Sequence, residues 1–451
     1  MKVQLSILLF FVAYLFAYNI DCMAATSQAK PRTQVFDAVV AIDGSGDYRT
    51  IQEAINAAPA GRTVAWLIFI KNGLYRELLF VPKEKSFIHL IGQERDKTII
   101  HEKINVQGNP ENDKERSWYA NSLAAWEYSK NNPNSIMHNK NDGVVVKIEG
   151  ADFYAENISF VNDWGVENKN GPQSLAIMTY GDRVSFYNCA FRSFQDTWKT
   201  TREDTFRGYA KHCHIEGAVD YIYGSGNYYF DACTLYCVRD GSVIVAPNQK
   251  TTAEWGYVFE SCIIDGVPSK KTKFGRPWHH SPIAVFLNTT THIGIDPEGW
   301  TDMGGFPRYF SEYNTKDSNG NPIDTSNRKK CYSGKDKAGE TQCIDPVLSA
   351  EQVAKFTYSA VIAGADKWNP RVLSEPTGKP MNLKVIQNNL LQWENIPDAI
   401  GYIIYCNDKL IGFSQASNYT LSSYNANASY SVRAVNKYGS LSEISNVANN
   451  E

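Results

Sequence analysis

Two acidic residues stand where their neighbours argue for burial. Asp220 lies in "GAVDYIYGSG" and Asp196 in "SFQDTW", both among aromatic and β-branched strand formers. A lone carboxylate is expensive to bury unless it is paired, hydrogen-bonded or protonated. The two are 24 residues apart. If the chain coils with about that period, they become near neighbours. Two close carboxylates cannot both ionise cheaply, so one pKa rises. That is the condition for a nucleophile and an acid at one pH. Arg276 in "FGRPW" offers a planar guanidinium that could keep one carboxylate ionised and oriented. Gln195 adjoins Asp196, and Gln173 lies in "NGPQSLAIM"; their amide N–H groups could stabilise a developing oxyanion. Each has a plainer reading as well: an Asp bonding loop amides, an Arg before a turn, a polar surface Gln. Other chemistries find less support. His212 and His214 flank Cys213, and strand alternation points both away from it. His279 and His280 have no partner at ligand spacing. No serine sits in a G-x-S-x-G setting. No metal and no cofactor is expected.

The elements that must position these groups are short strands. From about 64 to 290 they recur with little helical periodicity, and five share a pattern that places Ile158, Cys189, Cys213, Cys233 and Cys262 equivalently. Irregular repeats of this size suggest a parallel β-helix, in which inward side chains stack coil on coil. Parallel strands about 4.8 Å apart suit a disulfide between Cys213 and Cys233, and equally a ladder of free buried thiols. Before the coils, "YRTIQEAINAAP" predicts a helix with Thr50 and Glu53 as a capping box and Ile51, Ala54, Ile55 and Ala58 as its apolar face. The polar segment 101–142 breaks the rhythm but carries Trp118, Tyr119, Trp126 and Tyr128, which favours a flap or substrate wall.

The ends differ from the middle. Lys2, the apolar run Leu5 to Tyr18 and the small residues Ala24 and Ala25 read as a cleaved secretory signal over 1–25, and no other segment could span a bilayer. Export implies a secreted or periplasmic protein with oxidising surroundings, and Cys331 and Cys343 could staple a local loop. Net charge is −3 with no long basic run, which argues against nucleic acid as a partner. After the linker "SEPTGKP", residues 377–451 alternate with period two between turn signals and read as a small antiparallel β-sandwich anchored by Trp393 and Tyr430.

With these residues in view, the chain resembles the pectin methylesterase family. "DGSGDYRTIQEAINAAP", "GPQSLAIM", "FQDTW", "GYAKHCHIEGAVDYIYG", "FGRPW" and "ADKWNP" follow the family's order over roughly residues 35–370. The resemblance implies an all-β fold: a right-handed parallel β-helix over 35–372, followed by the sandwich, itself similar to a fibronectin type III module. It implies Asp220 as nucleophile on the methyl ester of a galacturonate unit, Asp196 as general acid and then base, and Gln173 and Gln195 as oxyanion donors. Arg276 matches the arginine bonded to the nucleophile, and Trp278 an aromatic lining the sugar cleft. The implied substrate is methyl-esterified homogalacturonan (pectin), the implied form a monomer. Cys213 and Cys233 match a cysteine pair that is disulfide-bonded in some members, so the resemblance favours a bond between them. Departures concern the cleft. Trp198 stands where an aliphatic is usual and Tyr223 where Phe is common, so both are expected to shape substrate binding. The chain is longer between Gln195 and Arg207, and 101–142 has no evident family counterpart. Rival readings are a non-catalytic polysaccharide-binding solenoid, a same-fold esterase acting on a non-pectin ester, and a pectate lyase, for which no calcium-binding carboxylate cluster stands out. For the terminal module, a spacer is the plainest role.

Overall fold

The computed structural model describes residues 34–106, 143–336, 338–386, 389–447 and 449–450. The expected signal, 1–25, and most of the aromatic segment 101–142 lie outside them. Among the described residues, three parallel sheets of ten, nine and seven strands form a parallel β-helix, each complete coil giving one strand to each sheet. One coil runs through Val184–Tyr187, Ala190–Arg192 and Trp198–Lys199; the next through Arg207–Lys211, His214–Gly217 and Val219–Gly224.

Inward side chains of equivalent places stack. Phe186, Ala210, Phe230, Phe259 and Phe286 follow one another in register, and the last three stack with ring centroids 4.4 Å apart. Between the first two strands of a coil the chain turns on one left-handed residue: Asn157, Asn188, His212, Ala232 and Ser261 all have positive φ. Asparagine tolerates that conformation, and Asn188 Nδ2 donates to Asn157 Oδ1 at 2.7 Å, tying one corner to the next. The residue after each corner points inward, so Ile158, Cys189, Cys213, Cys233 and Cys262 are the buried column that the sequence repeat marks.

That column corrects one expectation. Cys213 and Cys233 are free thiols, as are Cys189 and Cys262. Each hydrogen-bonds a backbone carbonyl, Cys213 that of Lys211 and Cys233 that of Ala210. Cys213 also has thiol neighbours on both sides, Cys189 and Cys233, so the column is a continuous sulfur ladder rather than an isolated pair. The Cys331–Cys343 bond is present, across a two-stranded antiparallel ribbon.

The helix Ile51–Ala57 forms as expected, with both halves of the Thr50–Glu53 capping box made. Its buried face lies on the first coils, where the fully buried Glu77 accepts the N–H groups of Ile51 and Gln52. At the C-terminal end of the chain, strands of two small sheets are mostly antiparallel and enclose a core that includes Trp393 and Tyr430. One of its strands, Gly401–Cys406, is buried on both faces. Tyr402 and Ile404 enter the module's own core, whereas Ile403 and Tyr405 join Phe36, Leu67, Phe69, Ile91 and Tyr154 of the β-helix. Polar contacts flank this seam: His89 Nδ1 lies 2.9 Å from the Tyr438 carbonyl, and Leu441 N–H donates to Glu156. The module is thus docked on the solenoid wall, where a spacer would stand clear of it. No helix among the described residues is long and apolar enough to cross a membrane.

Candidate active site

The chemistry-bearing residues converge on the outer face of the seven-stranded sheet. Register does this. Gln195 bridges Val219, and Trp198 pairs with Ile222, so Asp196 lies opposite Asp220 across one rung of about 4.8 Å. Both aspartates are left-handed, with φ of 65° and 49°. The strand bearing Asp220 also bulges. Val219 pairs with Val243 and Ile222 with Val245, three residues against two. An extra residue resets the alternation. Tyr221 and Ile222 therefore both enter the core, while Asp220 and Tyr223 both face outward, which an unbroken strand would forbid. A lone Asp in an apolar strand is tolerated because it does not occupy a regular strand position.

Arg276 reaches Asp220 from the next coil but one. Gly275 packs so closely on that neighbouring strand that a Cβ would lie 2.6 Å from the Val245 carbonyl oxygen. Arg276 N–H then donates to Val245 and Trp278 N–H to Pro247, which sets both side chains on the outer face. Arg276 Nε and Nη2 donate to the two oxygens of Asp220 at 2.8 and 2.6 Å. This is a bidentate, charge-assisted pair on a carboxylate that is only 6% exposed.

The two carboxyls differ in environment. Burial pushes Asp196 up to about 8, and the charge of Asp220 adds to the rise; the Tyr223 hydroxyl, Lys199 and Arg276 oppose it. Burial also raises Asp220, but the guanidinium bound to it works against that. The guanidinium thus favours the ionised form of Asp220, while burial favours the protonated form of Asp196.

Around them is a cleft of about 380 Å³, lined by Gln173, Gln195, Asp196, Asp220, Arg276, Trp278 and Tyr223 among others. Neither glutamine amide hydrogen-bonds another described residue through its side chain. The rings of Tyr223 and Trp278 meet edge to face at 5.7 Å. Seven of the eight expected site residues are therefore together. The exception is Trp198, which is fully buried among Phe186, Phe191 and Phe230, with its indole N–H donating to Thr179 at 3.0 Å. It pairs with the inward-facing Ile177 and Ile222, so alternation turns its neighbour Lys199 to the cleft instead. Sequence reasoning passed over Lys199, Met178 and Met303, which also line the cleft. Alternation from the inward Trp198 would have found Lys199. Among the described residues, no cluster of three or more His, Cys, Asp or Glu side chains could hold a metal ion.

A parallel β-helix with paired, unequal carboxylates in an open cleft suits acid–base hydrolysis of a carbohydrate polymer. The family model described as Pectinesterase matches residues 37–125 and 131–364. The chain belongs to that family and is a carboxylic ester hydrolase. The match runs through most of segment 101–142 and omits 126–130, so the expectation that the segment lacks a family counterpart is corrected. The chain is 29% identical to a pectinesterase of Petunia integrifolia over 359 residues, 76% of this chain and 82% of that protein. It is 30% identical to pectinesterase 31 of Arabidopsis thaliana, over 59% of this chain and 76% of that one. The pectin methylesterase from carrot superposes with a TM-score of 0.56 at 26% identity, over 76% of this chain and 96% of the carrot enzyme.

Proposed function

We propose that this cleft removes methyl esters from galacturonate units of pectin, with Asp220 as the nucleophile. An ionised Asp220 oxygen attacks the ester carbonyl carbon. The oxyanion is met by the amide N–H groups of Gln173 and Gln195. The tetrahedral species collapses, the carbonyl–methoxy bond breaks, and Asp196 gives its proton to the leaving oxygen, releasing methanol. The product is an anhydride between Asp220 and the sugar carboxyl. Asp196, now ionised, takes a proton from water, which attacks the sugar's acyl carbon. This frees the galacturonate, returns Asp220 to Arg276 and leaves Asp196 protonated again. Trp278 and Tyr223 offer ring faces to the sugars.

The observation that carries this reading is the geometry: Asp220 held by a bidentate guanidinium, one rung from a buried Asp196. The protein is read as exported, on residues 1–25, and as a monomer, since one chain supplies every group. The terminal module is read as fibronectin type III-like, buttressing the solenoid wall. The test is methanol release from highly methylated homogalacturonan. Asp220→Ala should abolish release while keeping the native circular dichroism. Near wild-type release by that variant would overturn the assignment.

A further inference from the structure

We propose that Asp336 is a positioning residue for Trp278, fixing the aromatic wall of the cleft from the far side through His279 and His280. On the proposed function above, Trp278 meets the sugars, and this role rests on that reading.

The wall needs such a fixture. The end strand of the seven-stranded sheet stops at Gly275, so Trp278 lies on irregular backbone beyond it. Backbone outside a strand ladder is mobile unless other bonds tie it down. Here three segments lie one on another. Gly304 and Gly305 N–H groups both donate to the Pro277 carbonyl at 2.9 Å, and Phe306 N–H donates to that of His280 at 2.8 Å. The packing leaves no room for a Cβ on Gly304 against the Trp278 carbonyl oxygen. The third layer is the ribbon stapled by Cys331 and Cys343. Ser333 N–H donates to the Asp302 carboxylate at 3.0 Å, and Asp336 N–H to the Gly304 carbonyl at 3.1 Å. Asp336 then reaches past the middle layer to the first. One of its carboxyl oxygens accepts the His280 N–H at 2.7 Å, and the other lies 3.1 Å from His279 Nδ1. The His279 ring lies beside that of Trp278, centroids 5.5 Å apart. A carboxylate accepting a backbone N–H makes a charge-assisted bond, the stronger kind. Asp196 and Asp220 are held by strand pairing instead and take no part in this stack. Loosening it should therefore weaken sugar binding and spare the chemistry.

Kinetics and hydrogen exchange test this together. Asp336→Ala should raise KM for methylated pectin about tenfold, the scale of one charge-assisted hydrogen bond, and leave kcat near wild type. Asp336→Asn keeps an acceptor for the His280 N–H and should restore most of the loss. Asp336→Ala combined with Trp278→Ala should lose less than the sum of the two single losses, because a residue that acts through another adds little once that other is gone. Amide exchange over residues 277–282 should quicken in Asp336→Ala and slow again in Asp336→Asn. Unchanged exchange, an unchanged KM, a fall in kcat in place of a rise in KM, or fully additive losses in the double variant would overturn the proposal. Should wild type release no methanol from any pectin, the proposed function falls, while the exchange arm still decides whether Asp336 holds this wall.

Discussion

Arg276→Gln is the sharpest probe of how the nucleophile is kept ionised. The substitution removes both N–H bonds to Asp220, at 2.8 and 2.6 Å, and the adjacent positive charge. Breaking one side of a buried ion pair costs about 3–5 kcal/mol. The carboxyl relieves that cost by taking up a proton. At about 1.4 kcal/mol per tenfold, the ionisation equilibrium of Asp220 moves at least about a hundredfold towards the protonated acid, and kcat on the acid side of the profile falls with it. The acid limb of the pH–rate profile moves to higher pH. Raising the pH cannot recover the full rate, because Asp196 gives up its proton near 8 and closes the window from the other side. The assay is methanol release from saturating methylated pectin across the whole profile, with melting temperature measured in parallel. The fold should persist, since a neutral Asp220 is tolerated. If the acid limb stays in place and only KM rises, Arg276 holds substrate, and the account of the nucleophile is wrong.

Other outcomes follow from the same geometry. Asp196 is raised from 3.8 to about 8, so the folded state holds a proton that the unfolded chain has already released. Its contribution to stability is therefore present at acid pH and lost as pH rises towards 8; Asp196→Asn should flatten that part of the stability–pH curve while removing most of the turnover. Trp198→Leu opens a cavity beside Phe191 and Phe230 and leaves Thr179 without its indole donor. It should cost about 2–4 kcal/mol, seen as a lower melting temperature with KM for pectin unchanged; a raised KM with unchanged melting would return Trp198 to the cleft. Ile403→Asp puts a charge into the seam against Phe69 and Leu67 and should lower the melting temperature of the whole chain by several degrees. No change would restore the module to a spacer.

Much of the site was legible because its residues report backbone geometry as well as chemistry. The repeat that aligned Ile158 with four cysteines marks the first inward residue after each left-handed corner, and the 24-residue offset between Asp196 and Asp220 is the coil itself. What stayed hidden needed three dimensions. Trp198 is expected in the cleft because it departs from the family's usual aliphatic, and only its register with Ile177 and Ile222 shows that it faces the core. The bulge at Asp220 leaves no trace in residue type. The thiol ladder differs from a disulfide only in the bonding of atoms that either arrangement brings close. The seam beneath the terminal module was invisible because Ile403 and Tyr405 read as the ordinary outer face of a two-layer sandwich until the solenoid wall is seen to cover it.

The two aspartates use the device that shapes the whole solenoid. A left-handed residue other than glycine costs roughly 1 kcal/mol or more, and this chain accepts it at corner after corner, from Asn157 to Ser261. Asp196 and Asp220 apply the same conformation to the third sheet, where it turns a carboxyl outward from a strand that otherwise feeds the core. Their separation is then fixed by strand pairing on either side, Gln195 with Val219 and Trp198 with Ile222. It follows that the loop between Lys199 and Arg207 can differ in length from its relatives without moving the reacting pair. A single residue inserted between Thr197 and Trp198 has no such freedom: it would put Trp198 outside and Lys199 inside.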